Sequence, residues 1–315
     1  MFPRGHSLEA KILKILFTGA SSFTGFWFVS ELASRGHIVH AVCRKPLSCY
    51  EGLRKKRLEL LLPLCTLHFS IDVGSESWFK LIEKENPFDL FCHHAADTKN
   101  YRSASFDCAL AVASNAKTAR ETLLSLQKNG CNRLLLTGSV FESGEGGKLD
   151  AKAFTSYGLS KTLTHQIFLF HTENLEMKLG KFVIPNPFGP YEEDRFTSYL
   201  VDCWKAKKTA LVKTPDYLRD NIPVSQLAKA YADFATRLSR ASGLEIFRPS
   251  GYVETQSLFT KRFANEIERR LKIDCPFLLE TQPSYSEPME IKNSDCILQD
   301  WDEKSFWDHL AEFYS

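Results

Sequence analysis

The chain has 315 residues, 43% hydrophobic and 25% charged, with a formal net charge of +2. That is the composition of an ordinary soluble globular protein, long enough for a large core and a second lobe, and so small a net charge leaves no electrostatic case for nucleic acid or a membrane surface. Nine scattered cysteines without a C-x-x-C pair speak for a reducing compartment and against a zinc site. Neither Met1–His6 nor any other stretch has the apolar length of a leader or a bilayer span, so a cytoplasmic enzyme without metal is expected.

Lys14-Ile15-Leu16-Phe17-Thr18 is a short apolar run that ends in the small-residue turn Gly19-Ala20-Ser21-Ser22-Phe23-Thr24-Gly25. The residues from Phe26 to Ala33 read as a helix, Arg35-Gly36 as its stop and His37–Cys43 as a second strand. Strand, tight turn and helix form the nucleotide-binding opening of a doubly wound α/β fold, in which glycine lets the backbone approach a phosphate at the helix N-terminus. Gly19 and Gly25 keep this pattern, whereas Ser22 stands where a third glycine is usual, at a cost if that position needs a positive φ. An acidic residue about 20 positions beyond the glycines selects NAD through the ribose 2′-OH. Here Arg44-Lys45 occupies that place, so NADP(H) is favoured over NAD(H); the plain alternative is a solvated basic loop leading into Arg54–Arg57.

Leu67–Asp72 reads as a third strand, and Asp72 as a cap for the helix starting near Ser75. Asp89–Ala96 is a fourth strand ending in small residues, and the span from Ser105 to Gln127 reads as one long helix closed by Gly130. Asn132–Thr137 is a fifth strand, followed by Gly138-Ser139-Val140-Phe141 and a flexible, glycine-rich loop from Glu142 to Gly147. Tyr157 and Lys161 are four apart and share one helix face; of the ten tyrosines, only Tyr157 has a lysine four places on. An ammonium near the phenol, together with a cationic nicotinamide, would lower its pKa toward neutrality, as proton exchange requires. Lys181–Tyr191 reads as a sixth strand with a proline-rich exit turn, Gln226–Arg237 as a helix and Leu244–Arg248 as a last strand. From Gly251 the chain reads as helix, loop and a final helix over Glu303–Phe313.

The order of these segments resembles the extended short-chain dehydrogenase/reductase family, in particular its NAD(P)-dependent nucleotide-sugar epimerases, dehydratases and reductases. The resemblance rests on Thr18–Gly25, the His-x-Ala-Ala strand end at His93–Ala96, Thr137 before Val140-Phe141, Tyr157/Lys161, Asn186 with Gly189-Pro190, and Arg219-Asp220 before Ile222 and Val224. It implies a Rossmann-type doubly wound parallel sheet, with residues 1–186 and 222–250 forming an NADP-binding domain and 187–221 with 251–315 a smaller substrate-binding lobe. It further implies a catalytic set of Thr137, Tyr157, Lys161 and Asn115, with Ser139 a second hydroxyl beside Thr137. Cofactor contacts would come from Gly19, Ser21, Ser22, Phe23, Thr24, Gly25, Arg44, Lys45, Asp72, Val73, Ala95, Ala96, Tyr157, Lys161 and Pro185. Substrate contacts would come from Thr137, Ser139, Asn186 and Arg219, the last as a clamp on the substrate diphosphate. His93 is expected to be structural.

The implied substrate is a nucleotide-linked sugar. Gly138 and Ser139, where dehydratases carry acidic residues, argue against a dehydratase, and Arg44 argues against an NAD-dependent epimerase. The reading is therefore an NADPH-dependent 4-ketoreductase, with nucleotide-sugar epimerase as the alternative. A non-sugar ketone reductase and a non-catalytic NADP-binding sensor remain further alternatives. The resemblance also implies a homodimer through helices 105–127 and 157–173.

Overall fold

The computed structural model describes residues 11–315 except 104 and 148. Strands and helices alternate through the first half: β1 (Lys14–Thr18), α1 (Phe23–Ser34), β2 (Ile38–Cys43), α2 (Gly52–Leu61), β3 (Thr66–Phe69), α3 (Glu76–Glu85), β4 (Leu90–His93), α4 (Cys108–Asn115), α5 (Ala119–Lys128), β5 (Arg133–Ser139), α6 (Ser156–Asn174) and β6 (Lys178–Ile184). Next come β7 (Asn186–Phe188), α7 (Phe196–Lys205), β8 (Ala210–Val212), β9 (Leu218–Pro223), α8 (Val224–Arg237) and β10 (Gly243–Phe247). The chain closes with β11 (Pro249–Ser250), β12 (Tyr252–Thr255), α9 (Gln256–Leu271), β13 (Phe277–Leu279), β14 (Glu290–Ile291), β15 (Asp295–Cys296) and α10 (Glu303–Tyr314).

Seven parallel strands form one sheet in the order β10-β6-β5-β4-β1-β2-β3, the doubly wound α/β architecture expected from the sequence. The strand order reverses between β1 and β4, and ligands of such sheets bind outside the C-terminal strand ends at that point. Both faces are covered by helices, which is why Ile15, Leu16 and Phe17 in β1 are all buried rather than alternating with polar residues. Helices α1, α2 and α8 cover one face with Phe28, Leu32, Leu61, Leu227 and Phe234; α3, α5 and α6 cover the other with Trp78, Leu81, Leu123, Leu126 and Phe168. A separate core around Phe188, Trp204, Phe263 and Trp307 lies among α7, α9 and α10.

Three local features depart from the sequence reading. The single helix expected over 105–127 is two: α4 ends at Asn115, and α5 starts at Ala119 after Thr118 adopts a left-handed conformation (φ 52°). The break frees the Asn115 carbonyl, which accepts from His93 Nε2 at 3.1 Å. The cap of α3 is Ser75, whose hydroxyl accepts from the Trp78 N–H, and not Asp72. The loop expected to be flexible from Glu142 instead carries two buried carboxylates, Glu142 and Glu145.

Candidate active site

The turn after β1 is built by conformation and close packing. Gly19 has φ +88°, and a Cβ there would stand 2.8 Å from the Ala95 nitrogen; a Cβ on Gly25 would stand 2.2 Å from the Gly19 carbonyl oxygen. Ser22 needs no glycine freedom, because its φ of −75° is ordinary. It is the N-cap of α1 and accepts from the Gly25 N–H at 3.1 Å, so the cost anticipated for serine there does not arise. No acceptor among the described residues takes the main-chain N–H of Phe23 or Thr24. A tight turn whose Gly19 and Gly25 admit no Cβ, leading into free N–H groups at a helix start, fits a dinucleotide pyrophosphate.

Across the switch point, β4 ends in His93 and is followed by His94. His93 is buried, meets Thr18 Oγ1 at 3.0 Å and donates to the Asn115 carbonyl, as expected for a structural residue. Burial pushes its pKa down to about 4. His94 turns the other way: Nδ1 meets Thr137 Oγ1 at 2.9 Å, and Nε2 meets Ser22 Oγ at 3.0 Å and Thr24 Oγ1 at 3.1 Å. Ala95 packs on the glycine turn and donates its N–H to Thr18 Oγ1. Ala95 and Ala96 are half-buried at the mouth of the crevice. Asn115 Oδ1 accepts from the Asp97 N–H at 2.7 Å, and its buried Nδ2 has no partner among the described residues.

The fifth strand sorts its side chains by parity. Leu134 and Leu136 join the core under α3, α5 and α6, whereas Leu135 faces α1 and α8. Thr137 follows Leu135, so its hydroxyl points to His94, whose ring lies against Phe17 and Phe28. Helix α6 covers the opposite face, and among the described residues no hydrogen bond joins this hydroxyl to Tyr157. Ser139 lies at the strand end, accepting from the Phe141 N–H at 3.3 Å, and Phe141 contacts the Tyr157 ring. Gly138 has no side chain, and a Cβ there would stand 2.8 Å from Lys181 Cε. That space admits a buried ion cluster in which Lys181 Nζ meets Glu142 at 2.7 Å and Glu145 at 2.9 Å, and Arg248 adds a 2.6 Å contact to Glu145.

Thr155 caps α6 by accepting from the Gly158 N–H at 2.9 Å. Gly158 is obligatory, since a Cβ would stand 2.0 Å from the Phe141 carbonyl oxygen. Tyr157 therefore sits where helix and turn meet, its ring against Tyr101, Phe106 and Phe141. Lys161, one turn on and buried, donates from Nζ to the main-chain carbonyl of Thr137 at 2.6 Å. Among the described residues its Nζ has no hydrogen bond to Tyr157, and Lys161 alone does not lower the phenol pKa. Burial first, then the charge of Glu142, holds it above its ordinary value, while burial pulls Lys161 down.

Arg44 and Lys45 stand exposed at the end of β2, with no ion pair among the described residues. Asp72 is exposed and meets Lys117 at 3.4 Å, and Val73 packs at the edge of the core. Pro185 is the buried link between β6 and β7, and Asn186 pairs in register with Asn221 of β9. Arg219 is the site residue most at odds with its expected task. Its guanidinium bonds the carbonyls of Leu218, Pro288 and Met289 and the Glu287 carboxylate, and lies 4.2 Å from the Tyr217 ring centre. As a clamp it would have to exchange Glu287 for a phosphate. Asp220 does not pair with it, but accepts from the Gly251 and Asn293 N–H groups.

Two residues escaped the sequence reading. His94 was visible only as a polar residue in the variable place of His-x-Ala-Ala. Arg57, read within a solvated basic run, is fully buried and bonds the Ser21 and Tyr191 carbonyls at 3.0 and 2.8 Å and the Glu193 carboxylate. Nothing local in a run of four cations distinguishes the one that turns inward.

The family model described as the NAD-dependent epimerase/dehydratase family matches residues 15–247. No curated protein matches the chain. Solved structures with the same fold include UDP-glucose 4-epimerase from Bifidobacterium longum in complex with NAD+ and UDP, at 17% identity and TM-score 0.69, covering 96% of each chain. UDP-glucuronic acid 4-epimerase from Bacillus cereus, in complex with UDP-glucuronic acid and NAD, aligns at 14% identity and TM-score 0.73 over 96% of this chain and 99% of its own. DesIV, a dTDP-glucose 4,6-dehydratase from Streptomyces venezuelae, aligns at 12% identity and TM-score 0.74 over 96% and 97%.

Proposed function

The chain belongs to the NAD-dependent epimerase/dehydratase family, and on that footing we propose that it is a nicotinamide-dependent 4-epimerase of a nucleotide-linked sugar. The observation that carries this reading is the placement of Lys161 on the Thr137 carbonyl, one helical turn from Tyr157 and across the switch point from the glycine turn. The UDP-sugar 4-epimerases that share the fold support the same substrate class.

The turn from Gly19 to Gly25, with Ser21, Ser22, Phe23 and Thr24, would hold the pyrophosphate. Asp72 and Val73 would lie by the adenine, and Ala95, Ala96 and Pro185 along the nicotinamide half. A bound nicotinamide would supply hydride acceptance and return at the sugar carbon. Tyr157 takes the proton of the sugar hydroxyl as the carbon is oxidised, and gives it back on reduction. Because its phenol is held high, Tyr157 depends on the Lys161 ammonium and the cofactor charge to reach that state. Ser139 would assist through its hydroxyl and Asn115 through Nδ2, and Asn186 and Arg219 would meet the substrate.

One observation favours a second reading. The exposed Arg44 and Lys45 suit a 2′-phosphate, and an enzyme that consumes NADPH would be a 4-ketoreductase. Incubation with UDP- and dTDP-hexoses, followed by NMR of the sugar, distinguishes the two. Interconversion of 4-epimers with no net change in cofactor supports the epimerase. NADPH oxidation by a 4-keto sugar without interconversion replaces it with the reductase, and neither activity across the panel removes both. A homodimer through α4 and α6 is supported by the exposed Leu110, Leu159, Leu163 and Phe170, and its test is the mass in solution.

A further inference from the structure

A hydrogen-bonded path crosses the sheet ends from the glycine turn to the candidate catalytic lysine. Ser22 Oγ donates to the Gly19 carbonyl at 2.9 Å and accepts from the Gly25 N–H, so its proton is committed. His94 must then donate from Nε2 to Ser22, with Thr24 Oγ1 sharing the same N–H at 3.1 Å. That leaves Nδ1 as the acceptor, and Thr137 supplies the proton from Oγ1 at 2.9 Å. The Thr137 carbonyl in turn accepts from Lys161 Nζ at 2.6 Å. Each donor and acceptor in the chain is used in one direction only.

The imidazole is wedged against Phe17 and Phe28, with ring centres 5.8 and 5.3 Å away. Burial and the nearby Lys161 disfavour a second proton on it. A neutral ring of fixed tautomer is what the path requires, since a charged imidazolium could not accept from Thr137.

We propose that His94 is a positioning residue that ties the cofactor-phosphate turn to Thr137, and through the Thr137 carbonyl to Lys161. The inference rests on the cofactor reading above and adds to it a residue that touches neither substrate nor reacting atoms. Occupation of the turn by a pyrophosphate would bear on Ser22 and Thr24, and His94 passes that constraint to the strand end that anchors the lysine. Shared members of one hydrogen-bond network are expected to couple non-additively, and a double-mutant cycle measures this.

The test is the affinity for NADPH and NADH of the full chain and of His94→Leu, Thr137→Val and the double variant, with thermal unfolding as the control for folding. His94→Leu should weaken cofactor binding about tenfold, the scale of one buried hydrogen bond, and the double variant should lose little more than either single one. His94→Gln, which keeps a donor and an acceptor, should recover part of the loss. The second readout is the nitrogen NMR of labelled histidine: His94 should show a protonated Nε2 and a bare Nδ1, with both signals shifting on cofactor addition. A shift is not expected of a histidine that only fills space. Wild-type affinity in His94→Leu, additive losses, or the opposite tautomer would overturn the proposal. If His94→Leu does not fold, the tautomer and its response in the wild-type chain decide it. A wild-type chain that binds neither nucleotide would remove the cofactor reading itself, and the coupling with it.

Discussion

Arg57 reaches the Ser21 carbonyl at 3.0 Å from a side chain with no solvent exposure. The same guanidinium holds the Tyr191 carbonyl, so one residue of α2 joins the glycine turn to the segment that follows β7. Replacing it with methionine keeps the apolar stem but orphans two carbonyls and frees Glu193. The expected loss is about 2–4 kcal/mol of unfolding free energy with weaker cofactor binding, read by urea titration. A variant with the wild-type urea midpoint would show that the join is dispensable.

Tyr157→Phe should leave the fold intact, because the Tyr157 hydroxyl makes no hydrogen bond among the described residues and the ring contacts to Tyr101 and Phe141 persist. Turnover should fall by about 100-fold or more, the usual cost of a lost general acid/base, with cofactor affinity within a factor of about two. Steady-state kinetics beside a binding titration checks both halves. Retained turnover would remove Tyr157 from the chemistry.

Gly19→Ala places a Cβ 2.8 Å from the Ala95 backbone nitrogen in a positive-φ conformation. Backbone, unlike a flexible side-chain tip, cannot move aside locally. A destabilisation of more than about 1 kcal/mol and loss of measurable nucleotide binding are expected. Calorimetric binding with the variant still folded would separate the two effects.

Arg44 and Lys45 carry the discrimination between the two nicotinamide cofactors if they meet a 2′-phosphate. The double change to alanine should weaken NADP(H) about tenfold or more while leaving NAD(H) near its wild-type affinity. Equal effects on both cofactors, or none, would return the pair to a solvated loop and favour an NAD enzyme.

His93 provides a pH signature. Its folded pKa lies near 4 through burial, below the value of about 6.5 expected for the unfolded chain. The unfolded state therefore binds the extra proton as pH falls through about 6.5, and stability should fall by about 1.4 kcal/mol per pH unit from this residue until pH reaches about 4. His94 and His165, each pushed down to about 3, act in the same direction. Urea midpoints at pH 7.5 and 5 should differ accordingly, and His93→Gln should flatten part of the difference. A midpoint independent of pH over that range would contradict the burial of these rings.

The parallel sheet was legible because its signals are local. Apolar runs of strand length, the small-residue turn between Thr18 and Phe26, and the four-residue spacing of Tyr157 and Lys161 all lie within single segments. Spacing also found the helix that carries Tyr157 and Lys161, since a four-residue interval acts over one turn. It failed between Ser105 and Gln127, where Thr118 takes a left-handed conformation that no propensity of its neighbours announces.

Read locally, the sequence holds the seven strands of the parallel sheet in chain order, the family and the chemical types along the crevice. Tertiary structure decided which way those groups point. Thr137 faces His94 because strand parity sets its side, Arg57 turns inward because two distant carbonyls need a donor, and Arg219 meets Glu287 because β14 lies beside β9. Each outcome depends on partners more than 30 residues away in the chain, and local patterning holds no record of them.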